Sequence, residues 1–119
     1  MSFKAFDIVV VPFPFTDRTT SKRRPALVLS DFATFNHPLG HSVLAMITSA
    51  KRSNWPLDVN INDLDLAGLP SASIIRMKLF TLDDQLIIRK IGHLSIQDQS
   101  HAKKSLQSLF QLDIDKTDA

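Results

Sequence analysis

The stretch Phe6-Asp-Ile-Val-Val-Val-Pro-Phe-Pro-Phe-Thr-Asp-Arg-Thr-Thr-Ser-Lys-Arg-Arg-Pro-Ala-Leu-Val-Leu-Ser30 decides how the chain is read. Residues 8–11 and 26–29 are short apolar runs on either side of a polar loop. Runs of this length, bounded by Pro and polar clusters, read as buried strands, and the pair reads as a hairpin. The loop ends in Lys22, Arg23 and Arg24. A stiff sheet that carries cations on its rim is suited to gripping phosphates.

Beyond the hairpin, Ser30 is placed to cap one helical turn through Phe35, which Pro38 and Gly40 end. Residues 43–47 predict a third buried strand. Residues 57–62 alternate cleanly, which predicts a half-buried strand with Leu57, Val59 and Ile61 inward. Residues 63–72 read as a loop, and 74–82 as a longer strand with Ile75, Met77 and Leu79 on one face and Arg76 and Lys78 on the other. Asp83-Asp84 makes a turn before a strand over 86–91, which Gly92 breaks. Ser95 with Asp98 resembles a capping box opening a helix over about 95–110, with the apolar stripe Ala102, Leu106, Leu109 and Phe110. The tail over 112–119 is expected to fray. The result is a mainly β chain with a C-terminal helix: a small, strongly bent antiparallel sheet or open barrel packed by that helix. Sheet edges need cover, which favours a dimer.

Composition narrows the possibilities. A chain of 119 residues with 44% apolar content is long enough for one domain and one core. It has no Cys, which excludes disulfide scaffolds, thiolate zinc sites and thiol catalysis. No apolar run is long enough for a bilayer and no secretory signal is visible, so no membrane partner and a soluble, cytoplasmic protein are expected. Net charge is +2, unevenly spread: residues 1–56 hold seven cations against three Asp, whereas residues 57–75 hold three Asp and no cation. Such separation suggests a basic face and an acidic face, although charge alone is better accounted for by scatter over a solvated surface. All twelve acidic residues are Asp and Tyr is absent, so acid–base chemistry must come from Asp, His, Lys, Arg or hydroxyls.

If the strands at 26–29 and 43–47 are antiparallel neighbours, the start of one and the end of the other share a rim. Arg24, Thr48, Ser49, Lys51 and Arg52 would then converge there, together with the hairpin loop. Pro25 holds Arg24 in extended geometry, and a fixed guanidinium offers a planar donor fork for two phosphate oxygens. Taken singly, an Arg of this kind is more readily a surface residue bonded to loop carbonyls or paired with Asp17, and a Thr at a strand end needs no function. Phe13, Phe15 and Trp55 are the aromatic side chains near the rim, with Phe13 assigned to the core; Arg76 and Lys78 could extend a phosphate track. His37 and His41 are separated by Pro38-Leu-Gly40, which argues against a helical metal pair; no metal and no cofactor are expected.

Asp7-Ile-Val-Val-Val, Arg24-Pro-Ala-Leu-Val-Leu-Ser30, Met46-Ile-Thr-Ser49 and Lys90-Ile-Gly-His-Leu-Ser95, in this order, resemble the PemK/MazF family of toxins from bacterial toxin–antitoxin pairs. The likeness runs from about residue 6 to residue 110. It implies a single domain, an SH3-like open β-barrel of five to seven strands with a C-terminal helix, usually dimeric. It also implies a metal-independent endoribonuclease that cuts single-stranded RNA, leaving a 2′,3′-cyclic phosphate and a 5′-hydroxyl. By motif, the catalytic arginine falls on Arg24 and the catalytic threonine on Thr48. The RNA-binding surface is expected from Phe15, Thr16, Arg18, Lys22, Arg23, Ser49, Lys51, Arg52, Trp55, Arg76 and Lys78. The implied partners are single-stranded RNA, a second copy of the chain, and a cognate antitoxin with an acidic, partly disordered segment. The chain departs from the family where Phe6 replaces the usual Gly, and in the loop Thr16-Asp-Arg-Thr-Thr-Ser-Lys-Arg, which in the family is often Gly- and Glu-rich. A non-catalytic nucleic-acid-binding barrel is the main rival reading. A peptide-binding SH3 module is a second, poorly served by one Trp and no Tyr.

Overall fold

The β-branched runs pair into one bent antiparallel sheet. A computed structural model describes residues 2–13, 22–52 and 54–112, without the side chain of Arg52. Its strands are β1 (Asp7–Pro12), β2 (Arg23–Val28), β3 (His41–Ser49), β4 (Val59–Asn60), β5 (Ser73–Asp83) and β6 (Arg89–His93). They are ordered β4-β5-β3-β2-β1-β6, every pair antiparallel. Register shifts at Ile8/Val9 and Ala45/Met46 mark bulges, which bend the sheet toward a half-barrel.

Both faces of the sheet are covered. The concave face carries Ile8, Leu27, Ala45, Ile47 and Ile75, packed with Val59, Ile61, Leu94 and Ala102. The opposite face carries Val9, Val11, Ala26, Val28, Leu44 and Leu82, packed with Phe3 and Ile87. Each Val, Leu, Ile or Phe among them contributes about 1.5–3 kcal/mol when fully buried. Helix α3 (Ile96–Phe110) stands against β4 and β5 and closes the open side.

Several local expectations are corrected. Asp31, not Ser30, caps the turn: its carboxylate accepts from the Thr34 N–H at 3.0 Å, and the turn is π-helical (Phe32–Asn36) before α1 (His37–Leu39). Ser30 instead bonds the buried Asn36 side chain and accepts from the Val43 N–H. The strand at 57–62 shrinks to Val59–Asn60; Leu57 is 37% exposed and has φ 68°, because the chain turns there. The loop at 63–72 contains α2 (Leu64–Ala67), capped by Asp63. Residues 84–86 form a 3₁₀ turn, so the last strand starts later, at Arg89. Gly92 lies inside β6: a Cβ there would sit 2.2 Å from the Ala67 carbonyl oxygen, so glycine admits α2 against the strand.

Ser95 caps α3 by accepting from the Asp98 N–H at 3.1 Å, but Asp98 does not complete a capping box. Its buried carboxylate accepts from the N–H groups of Asn62 and Asp63, both at 3.0 Å, and so ties α3 to the end of β4. Of the expected α3 stripe only Ala102 is buried; Leu109 and Phe110 are exposed, because the helix runs past the small barrel.

At the other edge, Asp7 joins β1 to β6. Its buried carboxylate accepts from the Lys4 N–H at 2.9 Å, meets His93 Nδ1 at 2.9 Å and pairs with Lys90 Nζ at 3.2 Å. Burial pushes the Asp7 carboxyl up, but the Lys4 N–H, His93 and Lys90 outweigh it and hold the group below the usual carboxylate range. Phe6 beside it has φ 73°. It is held there because its N–H donates to the Val28 carbonyl and its carbonyl accepts from the Leu94 N–H. A left-handed backbone costs an L-residue with a Cβ about 1–2 kcal/mol.

Two outcomes follow. Phe6→Gly should be more stable than Phe6→Ala by roughly 1 kcal/mol in denaturant melts, since both lose the ring and only glycine relieves the backbone. Asp7→Asn should cost about 1–3 kcal/mol at neutral pH. Because the folded carboxyl titrates below the unfolded one, its contribution is present above the unfolded value and is lost as pH falls through the folded value. The stability gap between the parent and Asp7→Asn should therefore narrow on acidification below about pH 4.

Candidate active site

Antiparallel register puts the site together. Val11 pairs with Arg24, Ala26 with Met46, and Met46 with Arg76. Cross-strand partners share a face, and side chains on one face recur every second residue. One face of the sheet therefore carries Val9-Val11-Phe13 on β1 and its extension, Val28-Ala26-Arg24 on β2, Leu44-Met46-Thr48 on β3, and Leu82-Phe80-Lys78-Arg76 on β5. At one end these rows are apolar and covered by Phe3 and Ile87. At the other end they become cationic; there Arg24 and Lys78 are exposed, and Arg76 is flanked by the turn that carries Trp55 and Asp58.

There Phe13, Arg24, Met46, Thr48, Arg76 and Lys78 line a cleft of about 180 Å³. This is below the ~300–1,000 Å³ typical of sites that engulf a small molecule, and it suits one backbone group of a chain laid across the surface. Larger surface depressions, at Asn62–Asp65 and along the end of α3, hold no comparable group of cations. The exposed Arg24 guanidinium lies 5.0 Å from the centroid of the Phe13 ring, a cation–π contact that fixes its plane. Thr48 is half-buried and follows Met46 on the same row. Continuing the Ala26–Met46 pairing by two residues sets Arg24 across from Thr48 on neighbouring strands about 5 Å apart.

Arg76 is the one lining cation in a salt bridge among the described residues: its Nη2 lies 3.3 Å from Asp58 Oδ2, and its guanidinium 4.8 Å from the centroid of the exposed Trp55 ring. No carboxylate or imidazole of the described residues lines the cleft. Among the described residues no three His, Cys, Asp or Glu side chains gather as a metal-ligand set.

The remaining expected residues lie elsewhere. Arg23 pairs with Pro12, one position along from Arg24, and so projects on the other face. Ser49 likewise alternates away from Thr48; it pairs with Ser73, and its hydroxyl accepts from the Lys51 N–H. Lys22 and Lys51 are exposed beside the rim, outside the cleft lining. Phe15, Thr16, Arg18 and the Arg52 side chain lie outside the described residues. Phe13, assigned to the core from its sequence, lines the cleft instead, because the row it extends runs past the cover at its cationic end. Met46 and Asp58 were not anticipated. The signal for Met46 was available, since it stands two residues from Thr48 on one strand. Asp58 became visible only when β4 was paired with β5.

Comparison with known proteins agrees with this architecture. The model of a family of PemK-like, MazF-like toxins of type II toxin–antitoxin systems matches residues 4–110. No curated protein matches the chain by sequence. Among solved structures, a chain of the MazE–MazF complex (Form-II) from Deinococcus radiodurans has a TM-score of 0.73 and 23% identity, covering 95% of this chain and 99% of that one. An endoribonuclease in complex with its cognate antitoxin from Mycobacterial species has a TM-score of 0.74 and 14% identity, with 96% and 98% covered. The Mycobacterium tuberculosis toxin MazF-mt6 has a TM-score of 0.69 and 22% identity, with 90% and 98% covered. At these identities the likeness is one of fold.

A cationic cleft on a sheet rim should bind single-stranded polyanions with strong salt dependence. Neutralising Arg24 or Lys78 should each reduce the slope of log K against log salt by about 0.7, measured by anisotropy with a labelled oligonucleotide. An unchanged slope would place the polyanion elsewhere.

Proposed function

As the chain belongs to the PemK-like, MazF-like toxins of type II toxin–antitoxin systems, a family of endoribonucleases, we propose that it cleaves single-stranded RNA at the Arg24–Thr48 cleft. The observation that carries this reading is that the Arg24 guanidinium and the Thr48 hydroxyl, from neighbouring strands, lie in a single cation-lined cleft.

The reaction asks little of the protein. The RNA 2′-hydroxyl attacks the adjacent phosphorus and loses its proton to solvent water, the bond to the 5′-oxygen breaks, that oxygen takes up a proton from solvent, and the products are a 2′,3′-cyclic phosphate and a 5′-hydroxyl. The substrate supplies its own nucleophile, so catalysis reduces to positioning and to stabilising the charge that develops on the phosphoryl oxygens. Arg24 holds two non-bridging oxygens with its planar fork and donates to the departing 5′-oxygen. Thr48 donates its hydroxyl to the same phosphate, and Lys78 adds a point charge. The Phe13 ring keeps the Arg24 fork in plane before substrate arrives. A guanidinium is a poor base, so Arg24 is assigned to binding and donation, not to removal of the 2′-hydroxyl proton. Because no step needs a Lewis acid to generate the nucleophile, cleavage is assigned as metal-independent.

The same cleft is the surface on which a protein inhibitor would act. Two of the structurally similar proteins were solved with antitoxins. For this chain we assign a cognate antitoxin whose acidic segment, disordered before binding, covers the cations of the rim. A homodimer acting in the cytoplasm, where RNA is available, completes the reading; no helix of the described residues is long and apolar enough to cross a membrane.

Arg24→Ala should lower cleavage of single-stranded RNA by about 10²–10³-fold, and Thr48→Ala in the same direction, with the thermal melt retained. Cleavage should persist in EDTA and leave cyclic-phosphate ends detectable by mass spectrometry. Full activity in Arg24→Ala would overturn the assignment, and binding without products would favour a non-catalytic RNA-binding barrel.

A further inference from the structure

Three side chains beside the cleft form a unit that the chemistry above does not use. Trp55 is 43% exposed, in a chain with one Trp and no Tyr. Exposure alone would mean little, since single apolar side chains are common on surfaces. What sets Trp55 apart is the way it is held. Asp58 Oδ2 accepts from the Trp55 N–H at 3.2 Å and from Arg76 Nη2 at 3.3 Å, and Asp58 Oδ1 accepts from Arg76 Nε at 3.5 Å. The Asp58 N–H returns to the Trp55 carbonyl at 3.4 Å, around Leu57 in its left-handed conformation. One carboxylate thus closes the turn and seats the guanidinium over the indole. The Asp58 and Arg76 side chains are only 6% and 14% exposed, so this pair is largely withdrawn from water, where charge-assisted bonds are stronger than at an open surface.

Arg76 also lines the cleft. A single guanidinium therefore separates the indole from the groups assigned to the scissile phosphate. An anionic strand drawn to Arg24 and Lys78 arrives beside an aromatic ring that is already fixed. Base–aromatic stacking needs a rigid ring and tolerates any base, because every base has a π-face. A cation on the ring adds to the attraction for the indole and restricts its rotation.

We propose that Trp55 is a stacking platform for an unpaired base of the strand whose phosphate lies on Arg24, and that Asp58 is the positioning residue that holds this platform. The proposal rests on the RNA reading above. Asp58 acts through Trp55 and Arg76 and touches no reacting atom.

The single Trp makes its emission a reporter of this one position. The full-length protein is titrated with a random-sequence pool of 2′-O-methyl oligoribonucleotides, which lack the attacking hydroxyl. Emission should be quenched saturably, over the same concentrations that give binding by anisotropy. Trp55→Ala should raise KM for cleavage about tenfold or more, with most of the loss in KM and little in kcat, and Trp55→Phe should recover most of it. Asp58→Asn should raise KM in the same direction and reduce the quench at saturation. Saturable binding with unaltered emission and an unaltered KM in Trp55→Ala would overturn the platform and leave cleavage at Arg24 standing. If the parent protein neither binds nor cleaves RNA, the RNA reading falls and the platform with it. A folded Asp58→Asn with the parent's KM and quench would remove Asp58 from the role.

Discussion

The register between β2 and β3 is the constraint from which the cleft follows. Pairing of Ala26 with Met46 places Val28 and Leu44 under the apolar cover and Arg24 and Thr48 beyond it. A slip of one residue would turn both rows over and send Arg24 to the face where Arg23 now projects. Such a slip is opposed from both faces, because it would take Ala26 and Val28 from under the apolar cover and push them into the concave core, while forcing Leu27 out of that core into the space they leave. The hydrophobic core thus acts on the site through geometry. It holds two side chains on one face by making every other alignment expensive.

A sheet of this size has two edges to defend, and polar anchors serve both. At one edge Asp7 gathers the Lys4 N–H, His93 and Lys90, so that β1 and β6 are joined by charge as well as by their ladder. At the other edge the Asp98 carboxylate fastens α3 to the two backbone N–H groups that follow β4. Gly92 lets α2 approach β6 at backbone contact, covering a strand that would otherwise present an open edge. These anchors lie away from the cationic cleft, which is left accessible.

Within the cleft the cations have different surroundings. Arg76 is partly neutralised by Asp58 and committed to Trp55. Arg24 has an aromatic ring and no carboxylate among the described residues, so its charge is available to an incoming anion. Lys78, exposed on the same row, adds to the field. An arrangement with one held cation and two available ones distinguishes positioning from chemistry along a single strand path.

Much of the fold could be read from neighbouring residues. Strand positions follow from a two-residue alternation, the start of α3 from Ser95, and the extended backbone of Arg24 from Pro25, and each of these is a property of a few consecutive side chains. Where the reading erred, the deciding partner was distant in the chain. Gly92 is explained by α2, Asp98 by the end of β4, and Phe13 by where the cover over its row stops. Consecutive residues therefore established that this chain makes strands, where most of them run, and that it carries cations near a hairpin. Which cations share a face with Thr48, and that Asp58 holds Arg76 against Trp55, depended on the alignment of strands with one another. That alignment is set by burial summed over the whole sheet, and no single strand contains it.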